Sequence, residues 1–172
     1  MLKKMFDEVN FEIEKEGWNE YEVVDGHHRV TLKMRVILTK ILRPKILPLQ
    51  QPPLIGIPKE AQSPNKVPKD EFQLSFQNIV VVSNCPAENM GTPTQPLPPN
   101  ELDQAATEEV EFSTFNEEWN IYVIPDSGLK LKIKLVVSSV RKANGHYDQF
   151  GYPIYVVQSA NVVVPIPPKQ KK

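Results

Sequence analysis

A chain of 172 residues, 40% hydrophobic and 24% charged, can bury roughly 70% of its unfolded surface, which excludes a chain disordered throughout. A net charge of −1 excludes any general attraction to nucleic acid or anionic lipid. The lone cysteine, Cys85, excludes an intrachain disulfide, and 17 prolines argue against long helices.

Leu2, Met5, Phe6 and Val9 have helical spacing and predict a short N-terminal helix. No apolar stretch of signal-peptide length follows, and no run approaches the roughly 18 residues that span a bilayer. A cytoplasmic protein without a membrane span is expected; non-classical export or incorporation in a particle stays open. A strand is predicted over Asn19 to Val24, then an Asp25-Gly26 turn and a long strand from Arg29 to Leu42. Apolar residues first alternate with Arg29, Thr31, Lys33 and Arg35, as in a sheet with one wet face. Val36-Ile37-Leu38 then reads as a segment covered on both faces, so the strand should bend midway.

Arg43 to Pro68 is proline-rich and too long for an ordinary loop. A strand from Glu71 to Val82 follows, and Asn84 to Asn100 reads as an extended linker with no core of its own. Asn100 and Asp103 resemble a helix N-cap and its partner acid. Strands are predicted at Asn120 to Ile124, Leu129 to Lys142 and Pro153 to Val164, with Pro125-Asp126-Ser127-Gly128 as a turn. The basic tail Lys169 to Lys172 should fray.

These elements recur in the same order. Trp18-Asn19-Glu20-Tyr21 reappears as Trp119-Asn120-Ile121-Tyr122, and these are the only tryptophans. Val9-Asn10-Phe11 matches Val110-Glu111-Phe112, and Asp25 matches Asp126. Two extra residues in the first turn shift the alignment, after which Lys33 and Arg35 face Lys132 and Lys134. Asn78-Ile79-Val80-Val81 resembles Asn161-Val162-Val163-Val164. Gene duplication accounts for such an ordered series. The expected fold is mainly β, with tandem duplicated β-barrel or β-sandwich modules, pseudo-twofold symmetry and a short helix before each. The division is a first module over 1–83 with a proline-rich insertion at about 43–68, a linker over 84–100, a second module over 101–168 and a tail over 169–172.

His27, His28 and His146 all lie in predicted turns, and adjacent histidines on a strand point apart, so no metal site is expected. Cys85 shows no Cys-His signature, and Asp25 and Asp126 are explained by turn formation. Neither a catalytic residue nor a cofactor is expected. Trp18 and Trp119 read as core anchors or, if exposed, as two equivalent binding patches. With Lys33, Arg35, Lys132 and Lys134 they are the candidate interaction residues; Asn19 and Asn120 should tie down nearby backbone. The leading functional expectation is a non-enzymatic interaction or structural accessory subunit of a larger protein assembly. It would contact partners through proline-rich arms and sheet surfaces. One alternative is a small-ligand or nucleic-acid binding module using a cleft between the copies, with nucleic acid disfavoured because the basic stripes lack aromatics. The other is an enzyme with a site assembled at the turns from Asp25, His27, Asp126 and His146.

Overall fold

A computed structural model describes residues 5–45 and 72–170. The chain is mainly β, with two five-stranded antiparallel sheets and one short helix among the described residues, and neither sheet is closed. The strands run in order β1 (Phe6–Val9), β2 (Glu12–Lys15), β3 (Asn19–Asp25), β4 (His28–Pro44) and β5 (Gln73–Ser83). After helix α1 (Pro99–Ala105) come β6 (Ala106–Val110), β7 (Phe112–Asn116), β8 (Asn120–Ile124), β9 (Leu129–Tyr147) and β10 (Pro153–Ile166).

The first sheet is built around β4. One of its edges carries β5; β3 and β1 share the other, and β7 adds beyond β3. The second is built around β9, with β10 on one edge, β8 and β6 on the other, and β2 beyond β8. Each sheet therefore takes one strand from the opposite part of the chain: β2 crosses to β8, and β7 crosses to β3.

Pairing registers agree between the two sheets. Asn19 faces Met34 as Asn120 faces Ile133, and Val9 faces Ile41 as Val110 faces Val140. In the crossing strands, Ile13 faces Tyr122 as Thr114 faces Tyr21. A register shift follows Leu38 in β4 and Val137 in β9, so the expected mid-strand irregularity falls at matched positions. There Thr39 Oγ1 donates to the Ser75 carbonyl at 3.0 Å, and Ser138 Oγ to the Gln158 carbonyl at 3.1 Å.

One core is filled from both sheets, by Val30, Leu32, Met34, Val36 and Leu38 from β4 and by Leu131, Ile133, Leu135 and Val137 from β9. Tyr21 and Tyr122 are its largest fully buried side chains. Burial keeps alternating past Val36, and Ile37 and Val136 stay half-exposed. The later halves of the long strands are thus not covered on both faces, contrary to expectation. An apolar outer residue needs only flanking side chains from β5 or β10 for partial cover, not a further layer. Val81, Val162 and Val164, on the outer faces, are each 41% exposed for the same reason.

Other local expectations change too. Phe6–Val9 forms strand β1 rather than a helix, because pairing with β4 overrides a weak helical period; residues 1–4 lie outside the described residues. Helix α1 exists, but Asn100 does not cap it: Pro98 holds the cap position with no side-chain bond, and Asp103 pairs with Arg141. The 84–100 segment makes a short 3-10 turn at Ala87–Asn89 and then docks on the β9–β10 connection. Gly91 N–H donates to the Gly151 carbonyl at 2.9 Å, and Thr94 N–H to the Tyr147 carbonyl at 3.1 Å. The proline-rich stretch expected at 43–68 lies, beyond Lys45, outside the described residues. Among the described residues, no helix is long and apolar enough to cross a membrane.

Candidate functional site

Each tryptophan lies just before an inward-facing asparagine, in the tight passage from a crossing strand into β3 or β8. The expectation of buried indoles fails: Trp18 is 37% exposed and Trp119 is half-buried. The core anchors are instead Tyr21 and Tyr122, two residues after each asparagine. Strand alternation dictates this, since Asn19, Tyr21 and Val23 point inward together. The indoles lie beneath cations of the long strands: Arg35 is 5.6 Å from the Trp18 ring, and Lys132 and Lys134 are 4.7 and 5.0 Å from that of Trp119. The basic stripes therefore do carry aromatics, supplied by a different strand.

Beneath each indole lies a buried polar cluster joining the two sheets. Asn19 Nδ2 donates to the Leu135 carbonyl at 3.0 Å, and its Oδ1 accepts from the Glu118 N–H at 2.8 Å. Asn120 Nδ2 donates to the Val36 carbonyl at 2.8 Å, and its Oδ1 accepts from the Gly17 N–H at 3.0 Å. The Tyr21 hydroxyl donates to Glu117 at 3.0 Å and that of Tyr122 to Glu16 at 2.7 Å. Burial first, then the neighbouring Glu16, pushes the Tyr122 hydroxyl from 10.0 up to about 12; burial also raises Tyr21. Glu16 pairs with Arg35, and Glu117 with Lys134 at 3.4 Å. Apart from the buried Arg35 Nε, which has no partner among the described residues, these groups satisfy one another. Their chemistry is that of a structural fastening.

The outer faces differ. On the first sheet, Glu20 and Glu22 of β3 pair with Lys33 at 3.6 Å and Arg29 at 2.7 Å. On the second, Ile121 and Val123 stand at the matching places and face Lys132 and Lys130 across the ladder. On the other side of β9, Val162, Val164 and Ile166 face Lys134, Lys132 and Lys130. Lys130 finds Glu14 of the crossing strand at 2.8 Å, whereas no described carboxylate pairs with Lys132. An open groove of about 450 Å³ runs over this face, with Ile121, Lys130 and Lys132 on its floor and Ile166, Pro168 and Lys169 along one side. No protein-family model, curated protein or solved structure matches this chain.

Asp25 also departs from its expected role. Its side chain is buried, paired with Lys142 Nζ at 2.8 Å, and accepts the Tyr155 hydroxyl at 2.6 Å. Burial opposes ionisation, but the bonds from Lys142 and Tyr155 outweigh it and hold the carboxyl below its usual range. The two extra residues of the first hairpin explain this placement. They extend the β3–β4 ladder by the pairs Val24–Arg29 and Asp25–His28, which lifts Asp25 out of the turn and into the strand. Asp126, in the shorter second hairpin, is exposed. Asp25 thus meets Lys142 and Tyr155 rather than His27, Asp126 or His146. Burial raises the nearby Cys85 thiol, and Asp25 raises it further, the opposite of what activates a nucleophile. Among the described residues, no three His, Cys, Asp or Glu side chains converge as a metal site would require.

Proposed function

We propose that this protein is a non-enzymatic interaction module, an accessory subunit that meets a protein partner through the outer face of the β9 sheet. The observation that carries this reading is the replacement of Glu20 and Glu22 by Ile121 and Val123. One face pairs Arg29, Lys33 and Arg35 with carboxylates, while the other sets Lys132 over Trp119 among aliphatic side chains and leaves it without a described carboxylate. A cation amid apolar surface costs solvation that a complementary partner can recover.

Duplication supplies the scaffold in this account. The matched registers, the reciprocal asparagines and the exchange of β2 and β7 support two copies of one five-stranded unit, related by a pseudo-twofold axis and packed as a sandwich. Isologous contact between ancestral subunits became contact within one chain. With the core fastening present in both copies, the outer faces were free to diverge. Proline-rich arms would extend the contact surface.

Light scattering after size exclusion, together with affinity capture from native extract, tests the proposal. A defined heteromeric complex is expected; a lone monomer through both would contradict it. The indoles beside the basic stripes give a second reading, single-stranded nucleic-acid binding, some support. Cations already occupy one side of each ring. Oligonucleotide binding lost on changing Lys132 and Lys134 to glutamate would favour that second reading.

A further inference from the structure

The groove on the β9 sheet crosses β2, β8, β9 and the end of β10, being lined by Glu14, Ile121, Lys130, Lys132 and Ile166. Three interstrand steps of about 4.8 Å make it roughly 14 Å long. An extended chain covers that distance in about four residues. Its floor is aliphatic at Ile121, and one wall is Ile166 with Pro168, which packs against the turn at Gly128. A Cβ at Gly128 would stand 3.3 Å from Pro168. Its charges are Lys130, already paired with Glu14, and Lys132 and Lys169, with no described carboxylate partner.

We infer that this groove docks an acidic segment of a protein partner, extended, about four residues long, that carries both carboxylates and aliphatic side chains. The inference rests on the interaction reading above and deepens it by naming the partner's chemistry. Carboxylates supply the counter-charges to Lys132 and Lys169 that Glu20 and Glu22 supply internally on the other sheet. The segment's aliphatic side chains cover Ile121 and Ile166. A phosphodiester backbone would satisfy the cations but leave the aliphatic floor exposed to water.

The test uses the full chain and an arrayed library of fluorescein-labelled hexapeptides that combine Asp or Glu with Leu, Val or Ile in varied order, read by fluorescence anisotropy. At least one member should bind, weaken as salt rises, and lose affinity roughly tenfold when its carboxylates are replaced by amides. Lys132→Glu and Ile121→Glu should each cause a comparable loss with an unchanged circular dichroism spectrum. Lys132→Gln should cause a smaller loss, and Lys40→Glu on the other sheet none. The inference is overturned if no member binds better than its amide counterpart, or if Lys132→Glu and Ile121→Glu bind like wild type. Equal displacement of the bound peptide by free octanoate would reassign the groove to small carboxylates, and displacement by oligo-dT to nucleic acid; either overturns it. Capture from native extract separates the levels. A complex formed equally by wild type and Lys132→Glu sinks the groove alone, whereas no complex with either sinks the wider reading.

Discussion

Asn19 and Asn120 each cross from their own sheet to the opposite long strand, Asn19 reaching the carbonyl of Leu135 and Asn120 that of Val36. Each also accepts the backbone N–H of the residue preceding the other tryptophan, Glu118 or Gly17. The two side chains are 3% and 1% exposed, so no water can replace these bonds without opening the core. Each asparagine thus ties its own sheet to the opposite one.

Asn19→Ala and Asn120→Ala should therefore each cost about 2–4 kcal/mol, since each leaves buried backbone groups unpaired. Urea denaturation by circular dichroism measures it. Near-equal losses in a single transition are expected; a loss confined to one variant would mean that the two clusters are not equivalent.

The ion pair of Asp25 and Lys142 sets an acid limit on stability. Because the folded carboxyl titrates below its unfolded value, its contribution is present above the usual carboxylate range and disappears as pH falls through the folded value. Lys142→Met removes a main cause of the lowering and strands a buried carboxylate, so it should cost roughly 3 kcal/mol near neutrality. Its acid unfolding should begin at higher pH than in wild type. Urea midpoints measured from neutrality down to acid pH check both statements.

Tyr122 imposes an alkaline limit of opposite sign. Its hydroxyl is raised from 10.0 to about 12, so its contribution is complete below pH 10 and falls away as pH approaches 12. Tyr122→Phe should flatten the alkaline fall in stability between those values, even though it lowers stability at neutrality by roughly 1–3 kcal/mol. Denaturation midpoints from pH 8 upward read this directly.

Gly151 and Gly26 both have positive φ, 84° and 66°, but differ in surroundings. A Cβ at Gly26 meets nothing within 4 Å, while one at Gly151 would stand 2.6 Å from the Gly91 carbonyl oxygen, which accepts no slack from a backbone neighbour. Gly26→Ala should cost only the roughly 1–2 kcal/mol of the left-handed conformation. Gly151→Ala should cost clearly more and loosen the 84–100 segment. Thermal melts, with protease cleavage near Gly91, distinguish the two.

Much of the strand framework was legible because its determinants are local. Alternation from Val30 to Arg35 and from Leu129 to Lys134, each preceded by turn residues, specifies hairpins without knowledge of the partner sheet. What stayed hidden depends on distant pairing. Glu12 to Lys15 is short and entirely exposed, and it becomes a strand only because β8 offers an edge. The roles of the tryptophans were hidden similarly. Burial goes to Tyr21 and Tyr122 because the inward-facing asparagine fixes the phase of the strand. The basic stripes were visible as residues, but their differing balance required knowing that Glu20 and Ile121 sit at matched places beside β4 and β9.

Site-specific photocrosslinking compares the two outer sheet faces as partner surfaces. A benzophenone amino acid is placed at Val164 on the β10 side of the β9 sheet, or at Val81, its counterpart beside β4, and irradiated in native extract. A discrete adduct is expected from position 164, abolished by Lys132→Glu, and little or none from position 81. Equal adducts from both positions, or one at 164 that survives Lys132→Glu, would contradict this expectation.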